Sequence, residues 1–338
     1  MKNYKIYLLS LILILNVEIA AGQDIHFSKF FSAPFILNPA NTTNYHGNWN
    51  LISNYRQQGI STPDPYITST FAFDYPIYVK SERAGVGIIW INDKSANNTL
   101  SVNKIFASAA YFRKISRKSY LHLGLQAGYV HKILDFSNLT YPDQFDMTSG
   151  YFNSNLNTEE TLQKSSLSYL DLNWGLIWSY KAPKFTSEIG VAMFHYNTPY
   201  ESFSTNKFIL KPRYVYHAFF EKLLFNNYFV KPKFLYVNQN SASEMLIGLD
   251  VGLFFLENRI TNKFYVGGFF RGGFKRNPDA FIIKTGFNYK NFDISVGYDI
   301  EIPGHDLFIY TKSSFELSIS FRRPETNVTN KTIPCSIF

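Results

Sequence analysis

Apolar and polar residues alternate along most of this chain, from Trp49 to Phe321. Successive side chains of a strand point to opposite faces, so alternation gives each strand one apolar and one polar face. The stretch that starts at Phe292 shows the pattern plainly. Its apolar positions are Phe292, Ile294, Val296, Tyr298 and Ile300. The positions between them hold Asp293, Ser295, Gly297, Asp299 and Glu301. The pattern therefore predicts an all-β protein.

The strands that this pattern predicts are about ten residues long, which is the length that a tilted strand needs to cross a bilayer. Strands of soluble β-sandwiches are usually shorter, with about 5–6 residues. A closed barrel is also the β architecture that leaves no unpaired edge in hydrocarbon. We therefore expect an antiparallel transmembrane β-barrel of the outer membrane. A soluble β-domain rich in aromatic residues is the alternative.

Fourteen strand candidates make up the predicted barrel, which we assign to residues 48–322. An even number is typical of single-chain bacterial barrels, and it places both termini on the periplasmic side. The candidates are Asn48–Gln57, Tyr66–Tyr75, Arg83–Asp93, Asn103–Arg113, Tyr120–Lys132, Leu167–Lys181, Phe185–Tyr196, Arg213–Glu221, Tyr228–Asn238, Glu244–Phe255, Lys263–Gly272, Asp279–Lys290, Phe292–Ile302 and Ser314–Arg322.

Long and short connections separate these strands. Outer-membrane barrels have short periplasmic turns and longer outer loops. We assign to the periplasm the short turns Lys114–Ser119, Ala182–Lys184 and Asn291. The long loops assigned to the outer side are Ile133–Ser166 and Asn197–Pro212.

The chain begins like a secretory signal peptide, with Lys2 and Lys5 before an apolar run from Ile6 to Leu15. Small residues follow this run, and cleavage is expected after Gly22. We therefore assign residues 1–22 to a signal peptide.

Two further segments flank the predicted barrel. Residues 23–47 are rich in Phe, Pro and Asn and show no sustained alternation. They form either a loose periplasmic leader or a segment folded into the lumen, where side chains such as Phe30 and Phe35 would leave water. Residues 323–338 form a C-terminal periplasmic tail. It contains the single cysteine, Cys335, to which the pattern assigns no role.

The composition fits a membrane barrel. Aromatic residues account for 18% of the chain, as in the interfacial girdles of such barrels. The formal net charge is +8, but basic residues such as Lys114, Lys118 and Lys184 lie in predicted turns. We interpret them as solvated strand ends rather than as a nucleic-acid surface. No nucleic-acid partner is expected.

The predicted lumen carries glycines and charges of both signs. The glycines are Gly124, Gly128, Gly248, Gly252, Gly286 and Gly297. Glycine in a strand permits either a bend or a close approach, so these residues indicate barrel curvature or room for a segment inside. The charges are Lys231, Lys233, Asp250, Lys284, Asp293, Asp299 and Glu301. They are compatible with a porin-like channel but indicate no solute selectivity.

No catalytic, cofactor-binding or metal-binding residue is expected. The seven histidines are scattered singly, and the two on one strand, His122 and His131, fall on opposite faces. No nucleophile motif accompanies them. We therefore do not expect an enzyme.

Several short motifs occur in a characteristic order. They are Gln23-Asp24-Ile25-His26-Phe27-Ser28, Leu37-Asn38-Pro39-Ala40, Tyr55-Arg56-Gln57-Gln58, Phe73-Asp74-Tyr75-Pro76, Leu134-Asp135-Phe136-Ser137, Tyr141-Pro142-Asp143-Gln144 and Tyr298-Asp299. In this order they make the chain resemble the PorP/SprF family of type IX secretion system outer-membrane proteins of Bacteroidetes. The N-terminal family motif residues are Asn38, Pro39, Ala40, Tyr55 and Arg56.

The resemblance implies an outer-membrane barrel that works with the type IX export machinery. Such proteins either serve as partners of large secreted surface proteins, commonly adhesins used in gliding, or join the machinery and contact peptidoglycan-linked periplasmic components. The secreted clients carry a C-terminal sorting domain. We expect a barrel that binds such a client and helps to export or anchor it. A structural role in the core machinery and a porin-like channel are the alternatives.

The long outer loops carry the candidate partner-binding residues. Loop 133–166 holds much apolar surface, so we expect it to pack on the barrel or on a partner. The candidates are Tyr141, Phe145, Tyr151, Phe152, His195, Tyr200 and Phe203. For His195, which closes a predicted strand, a hydrogen bond to loop backbone is the alternative role.

Overall fold

The computed structural model describes most of the chain. The described residues are 27–60, 62, 64–79, 82–95, 99–135, 142–147, 149–153, 156, 165–203, 208–225, 227–257, 260–273, 278–302 and 313–324. The predicted signal peptide, Tyr141 and nearly all of the predicted tail, including Cys335, lie outside these residues.

Fourteen antiparallel strands form one closed barrel, as the alternation predicts. Their bounds are β1 Trp49–Gln58, β2 Tyr66–Val79, β3 Glu82–Ser95, β4 Leu100–Lys114, β5 Ser119–Leu134, β8 Ser166–Ala182, β9 Phe185–Phe194, β10 Arg213–Leu223, β11 Tyr228–Gln239, β12 Ala242–Glu257, β13 Ile260–Gly272, β14 Pro278–Tyr289, β15 Phe292–Glu301 and β16 Ser314–Arg323. Each barrel strand pairs with the next along the chain, and β1 pairs with β16 to close the sheet.

Strand β15 shows how the alternating side chains are used. Phe292, Ile294 and Tyr298 are 43–46% exposed on the outer wall. Ser295 and Asp299 are buried on the inner wall. This distribution is the reverse of that in a soluble protein, where apolar side chains are inside. It is the distribution expected when the outer wall faces lipid.

The two ends of the barrel differ in the length of their connections. At one end, the short-turn end, the strands are joined by residues 80–81, 115–118, 183–184, 224–227, 258–259 and 290–291. At the other, the long-loop end, they are joined by residues 59–65, 96–99, 135–165, 195–212, 240–241, 273–277 and 302–313. Because outer-membrane barrels keep their short turns in the periplasm, we assign the short-turn end to that side.

Strand bounds differ by a few residues from those that the alternation predicts. For example, the pattern predicts a strand that ends at Tyr75, but β2 continues through Pro76, which pairs with Gly85, and ends at Val79. Proline lacks an amide hydrogen, yet its φ is compatible with extended backbone. The sheet therefore continues past it with one donor fewer.

The longest loop contains a hairpin that the pattern does not predict. Its strands are β6 Phe145–Asp146 and β7 Tyr151–Phe152.

Three helical elements are described before β1. They are a 3-10 helix at Phe30–Ser32, the α-helix α1 at Pro34–Leu37 and a second 3-10 helix at Pro39–Asn41. A further 3-10 helix, Pro142–Gln144, lies in the longest loop. Among the described residues, no helix is long and apolar enough to cross a membrane.

Candidate functional site

The described part of the N-terminal segment, residues 27–47, lies inside the barrel. Phe30 packs in an apolar cluster with Leu246 of β12, and Phe35 packs in a second cluster with Ile89 of β3. These four side chains are at most 6% exposed. The first cluster also contains Leu37 of the segment, and its remaining buried members come from β9 to β14; those of the second come from β1 to β8. The segment therefore contacts the inner wall on both sides of the lumen.

The Asn38-Pro39-Ala40 motif starts the second 3-10 helix. Asn38 caps this helix because its Oδ1 accepts a hydrogen bond from the Ala40 amide at 2.9 Å. Its Nδ2 donates to the backbone oxygens of Leu176 and Val191 at 3.3 and 3.0 Å. Asn38 thus ties the N-terminal segment to β8 and β9.

The barrel wall has glycines where this motif contacts it. A Cβ atom on Gly175 would lie 1.9 Å from Asn38 Oδ1, and one on Gly124 would lie 2.2 Å from the Ala40 nitrogen. Side-chain carbons do not approach other atoms this closely. Glycine at these two positions therefore makes the room that the motif occupies.

The six glycines that the pattern places in the lumen fall into two groups. Gly124 and Gly297 lie against the N-terminal segment. The others lie against neighbouring strands, mainly their aromatic rings, and are Gly128, Gly248, Gly252 and Gly286. Three further glycines of the wall contact the segment, and nothing in the local sequence distinguishes them; they are Gly85, Gly87 and Gly175. Their contact partners are distant in the chain, so no local pattern identifies them.

Arg56 lies in a buried charge cluster at the long-loop end of the lumen. Its Nη1 donates to Glu316 Oε1, to Asp299 Oδ2 at 3.3 Å and to Ser28 Oγ at 2.7 Å. Arg271 Nη1 donates to the same Asp299 oxygen at 3.0 Å. All five residues are at most 5% exposed. We term them the arginine cluster; it joins four strands to the start of the N-terminal segment.

Glu316 and Lys29 complete the attachment of this segment. Glu316 accepts hydrogen bonds from the Ser28 and Lys29 amides at 2.6 and 2.8 Å. Lys29 Nζ donates to Ser295 O at 2.7 Å and to Ser318 Oγ at 3.0 Å. Burial lowers the pKa of Lys29 to about 8, and attraction to Glu316 opposes that shift. The start of the segment is thereby held by β15 and β16.

Tyr55, the other residue of the second family motif, points away from the lumen. Its hydroxyl donates to Gln57 Oε1 at 3.3 Å, and both side chains are half-buried. Strand alternation therefore divides the Tyr55-Arg56 pair into a residue of the outer wall and a residue of the lumen.

Three candidate partner-binding residues lie in the β6–β7 hairpin at the long-loop end. Tyr151 is 76% exposed, Phe152 54% and Phe145 42%. The rings of Phe145 and Phe152 contact each other, with 5.2 Å between centroids. Met147, between the two short strands, is 92% exposed. These four residues form the exposed loop patch, which is open to contact.

The other candidates lie at the end of β9 and in the loop that follows it. Tyr200 is 61% exposed and bridges to Ile209, whereas Phe203 is partly buried. His195 is 2% exposed, and its Nδ1 lies 2.9 Å from Asp171 Oδ2. It has a positive φ of 59° where β9 turns into the loop. His195 therefore contacts the barrel wall, and contact with a partner stays a prediction for this residue.

Two other histidines are buried singly in the barrel. His122 Nε2 lies 3.0 Å from Ser179 Oγ, and His217 Nε2 lies 3.1 Å from Asn38 Nδ2. Across the described part of the chain, no group of three or more His, Cys, Asp or Glu side chains is placed to hold a metal ion. Each of the two histidines contacts a neighbouring polar side chain through one ring nitrogen.

Solved outer-membrane barrels are similar to this protein in fold. A TodX deltaS2S3 mutant, a monoaromatic hydrocarbon channel, has a TM-score of 0.56 at 9% sequence identity, with 89% of this chain and 95% of that chain covered. The toluene transporter TodX of Pseudomonas putida has a TM-score of 0.50 at 8% identity, with the same coverage of 89% and 95%. At such low identity the similarity concerns the architecture alone.

Sequence comparison identifies the family. None of the curated proteins matches the chain. The family described as type IX secretion system membrane protein PorP/SprF matches residues 19–321. That span includes the N-terminal segment inside the lumen and the barrel strands as far as residue 321 in β16. The chain is thus an outer-membrane β-barrel that belongs to the PorP/SprF family of type IX secretion system membrane proteins.

Proposed function

We propose that this barrel binds a large secreted surface protein of the adhesin type and helps to export or anchor it through the C-terminal sorting domain of that client. Family membership implies association with other type IX secretion components. Binding of a secreted client is the more specific part of the proposal, and the exposed loop patch is the observation that supports it. No chemical reaction is part of the proposal.

The exposed loop patch lies beyond the strands, where it meets water rather than lipid. Large apolar side chains that are grouped on a solvent-exposed surface typically mark a contact site for another protein. Aromatic residues and methionine are enriched in such contact sites. The patch contains three aromatic residues and one methionine in a single hairpin, which supports binding of a protein at this end.

The second long loop extends the same surface. Glu201 forms an ion pair with Lys132 of β5 and accepts a hydrogen bond from the Tyr169 hydroxyl of β8 at 3.0 Å. These two strands carry the loop that contains the patch. Glu201 therefore holds the exposed Tyr200 beside the base of that loop, where a client in contact with the patch would meet it.

The filled lumen favours a protein-binding role over solute conduction. The described part of the N-terminal segment occupies the lumen between the two apolar clusters. The cavity beside Phe35 and His195 in this region measures about 20 Å³, enough for about one water molecule. We expect little single-channel conductance from the purified barrel in planar bilayers. Steady, large conductance would contradict the proposal.

Replacing the two most prominent aromatic residues of the hairpin tests client binding. The double variant Tyr151→Ser/Phe152→Ser should reduce the client on the cell surface by about tenfold or more, because aromatic anchors contribute much of the energy of an interface. The measurement is surface proteolysis and immunoblotting of the client, with heat-modifiable mobility as the assay for barrel assembly. The matched control is Phe225→Ser, which changes an 87% exposed aromatic residue at the short-turn end. Equal display of the client in all three strains would contradict the proposal.

A structural role in the core machinery is the second candidate. A cavity lined by six Lys and Arg side chains opens at the short-turn end, where periplasmic components would meet the barrel, and this observation favours the second candidate. The two roles differ in the effect of deleting the gene. Loss of one client from the surface supports the proposed role as a dedicated partner. Loss of all secreted proteins with a sorting domain supports the core machinery.

A further inference from the structure

A cavity of about 560 Å³ opens at the short-turn end of the lumen. Its volume falls in the range of ligand-binding sites, about 300–1,000 Å³. Four carboxylates and six basic side chains line it, so it has an excess of positive charge. The basic residues are Lys231, Lys233, Lys263, Lys284, Lys290 and Arg322.

Four of these lysines lie close together on β11, β13 and β14 and form what we term the lysine wall. They are Lys231, Lys233, Lys263 and Lys284. Glu221 Oε2 lies 3.0 Å from Lys231 Nζ and 3.6 Å from Lys263 Nζ. Asp250 Oδ2 lies 2.7 Å from Lys233 Nζ and 2.9 Å from Lys284 Nζ. The wall therefore has two ammonium groups for each carboxylate that pairs with them.

Strand register brings these charges together. Lys231 of β11 is opposite Asp250 of β12, which is opposite Gly267 of β13, which is opposite Lys284 of β14. A Cβ atom on Gly267 would lie 2.1 Å from Asp250 Oδ1. Because Gly267 has no side chain, the Asp250 carboxylate can occupy the space beside it. There it pairs with Lys233 and Lys284.

Aromatic rings position the ammonium groups without neutralising them. Lys231 Nζ lies 3.9 Å from the centroid of the Phe219 ring, and Lys263 Nζ lies 4.1 Å from that of Phe229. A cation over an aromatic face is attracted by the ring but keeps its charge. Positive charge in a cleft with low-dielectric walls attracts anions strongly. The lysine wall thus favours an anionic ligand.

The charged side chains of the lysine wall differ in how deeply they are buried in the cavity. The side chains of Lys231, Lys263 and Glu221 are 18–23% exposed. The side chains of Lys233, Lys284 and Asp250 are only 4–7% exposed. A ligand that enters from the short-turn end would therefore meet the Lys231–Lys263 pair first.

Asn50, which also lines this cavity, supplies a different kind of contact. Its side chain is buried, and among the described residues its Oδ1 has no hydrogen-bond donor. Buried acceptors in proteins generally have a donor. A sulfate ion or the dianion of a phosphate monoester offers acceptors only, whereas a peptide offers N–H donors together with the carboxylates of acidic side chains. The pairing of lysines with an unfilled acceptor therefore suits a peptide better than a simple anion.

We propose that this cavity binds an acidic peptide segment that is presented from the periplasmic side. Its carboxylates contact the lysine wall, and a backbone N–H donates to Asn50 Oδ1. The inference goes beyond the proposed function, because it specifies the chemistry of a protein segment that reaches the barrel from the periplasm and not at its outer loops.

Peptide titration of the full-length barrel in detergent tests this assignment. The probe is a fluorescent hexapeptide of alternating Glu and Ser, compared with the same peptide carrying Gln for Glu and with inorganic phosphate as a competitor. We expect the Glu peptide alone to bind, with an affinity that falls as salt is added. The double variant Lys231→Gln/Lys263→Gln should weaken binding by about tenfold or more, since it removes two charge-assisted contacts. The matched control, Lys118→Gln, changes an exposed lysine in a turn at the same end and should leave the affinity unchanged.

A second variant shifts the affinity in the opposite direction. Glu221→Gln removes the carboxylate that Lys231 and Lys263 share, so the Glu peptide should bind more tightly. Equal affinity in the parent and the double-lysine variant would overturn the inference, as would phosphate that competes as well as the peptide. Either result would leave the proposed function standing, because client display is measured in cells with the loop-patch variant.

Discussion

The lumen holds a cluster of charged side chains at each end, and the two are built differently. In the arginine cluster at the long-loop end, Arg56 and Arg271 bond to Glu316, Asp299 and Ser28, and every member is at most 5% exposed. In the lysine wall at the short-turn end, each carboxylate is shared by two ammonium groups. Its outer side chains remain 18–23% exposed. One cluster is enclosed and bonded, and the other keeps an excess of charge facing an opening.

The chemistry of the two side chains matches this difference. Guanidinium presents several donors in a rigid plane, so one arginine can bond to two carboxylates and a hydroxyl at once. Ammonium is a compact, strongly hydrated charge on a flexible stem. We infer that the arginine cluster fixes the N-terminal segment, whereas the lysine wall keeps its charge available to a ligand.

Loss of Glu316 should have the largest effect, because it is the acceptor on which the arginine cluster depends. Glu316→Ala leaves Arg56 and the Ser28 and Lys29 amides without that carboxylate. Removing one partner of a buried ion pair costs about 3–5 kcal/mol of unfolding free energy. Unfolding in detergent and limited proteolysis at residues 27–47 measure it.

The matched control for this variant is Glu82→Ala. Glu82 pairs with Arg113 at the short-turn end, but that arginine is mostly exposed to solvent. No measurable change in stability is expected there, since exposed pairs contribute little. If both variants unfolded like the parent, the arginine cluster would not be what holds the segment.

The Asn38→Ala variant tests whether contacts in the middle of the N-terminal segment stabilise the protein as much as the contacts at its start. The variant loses the helix cap and the donors to Leu176 and Val191. We expect a loss of about 2–3 kcal/mol in unfolding free energy. Thermal unfolding of the purified barrel is the measurement, and Asn227→Ala, an exposed asparagine in a turn, is the control. A loss no greater than that of Asn227→Ala would show that the segment is fixed at its start alone.

Gly124→Ala places a methyl group in the space of the motif backbone. The added Cβ would lie 2.2 Å from the Ala40 nitrogen, and backbone cannot easily move aside. Overpacking of this kind costs about 1–3 kcal/mol. The control is Gly268→Ala, because a Cβ there would meet only Phe281 at an ordinary contact distance of 3.5 Å. Protease sensitivity around residue 40 should rise in the first variant and not in the second.

Exchanging the type of cation is the most sensitive comparison of the two clusters. Arg56→Lys keeps the charge but loses donors, so unfolding free energy should fall by about 1 kcal/mol or slightly more. Lys263→Arg should leave the unfolding free energy unchanged and the peptide affinity within about twofold of the parent. The lysine wall needs positive charge rather than the planar set of donors that a guanidinium group provides. Equal destabilisation by the two exchanges would remove the distinction between the clusters.

The fold follows from local pattern, which is why the sequence predicts it well. Alternation over about ten residues specifies one strand, and fourteen such stretches specify the barrel and its lipid-facing wall. Residue 299 illustrates this: its position within the alternating stretch already places it on the inner face, where the structure has it. The hairpin at Phe145 is missed because two-residue strands are too short to display a period.

The interior is harder to predict, because its contacts join residues that are far apart in the chain. The N-terminal segment has no period, so the sequence leaves open whether it is a loose leader or lies in the lumen. Gly175 needs to be glycine only because Asn38 lies against it. Lys263 and Glu221 do not stand out as functional residues until strand register places them beside Lys231. Register across a whole barrel is not visible in any single strand.

The two hydrogen bonds from Ser28 and Lys29 to Glu316 also bear on how the barrel is assembled. They join residues that are 288 and 287 positions apart, and Glu316 belongs to the strand that closes the barrel against β1. Contacts at such separation form late, because the intervening chain must first be ordered. Attachment of residues 28 and 29 therefore requires the last strand. An intermediate that lacks β16 would have both an open seam and a loose segment start, so closure of the wall and attachment of that start depend on the same strand.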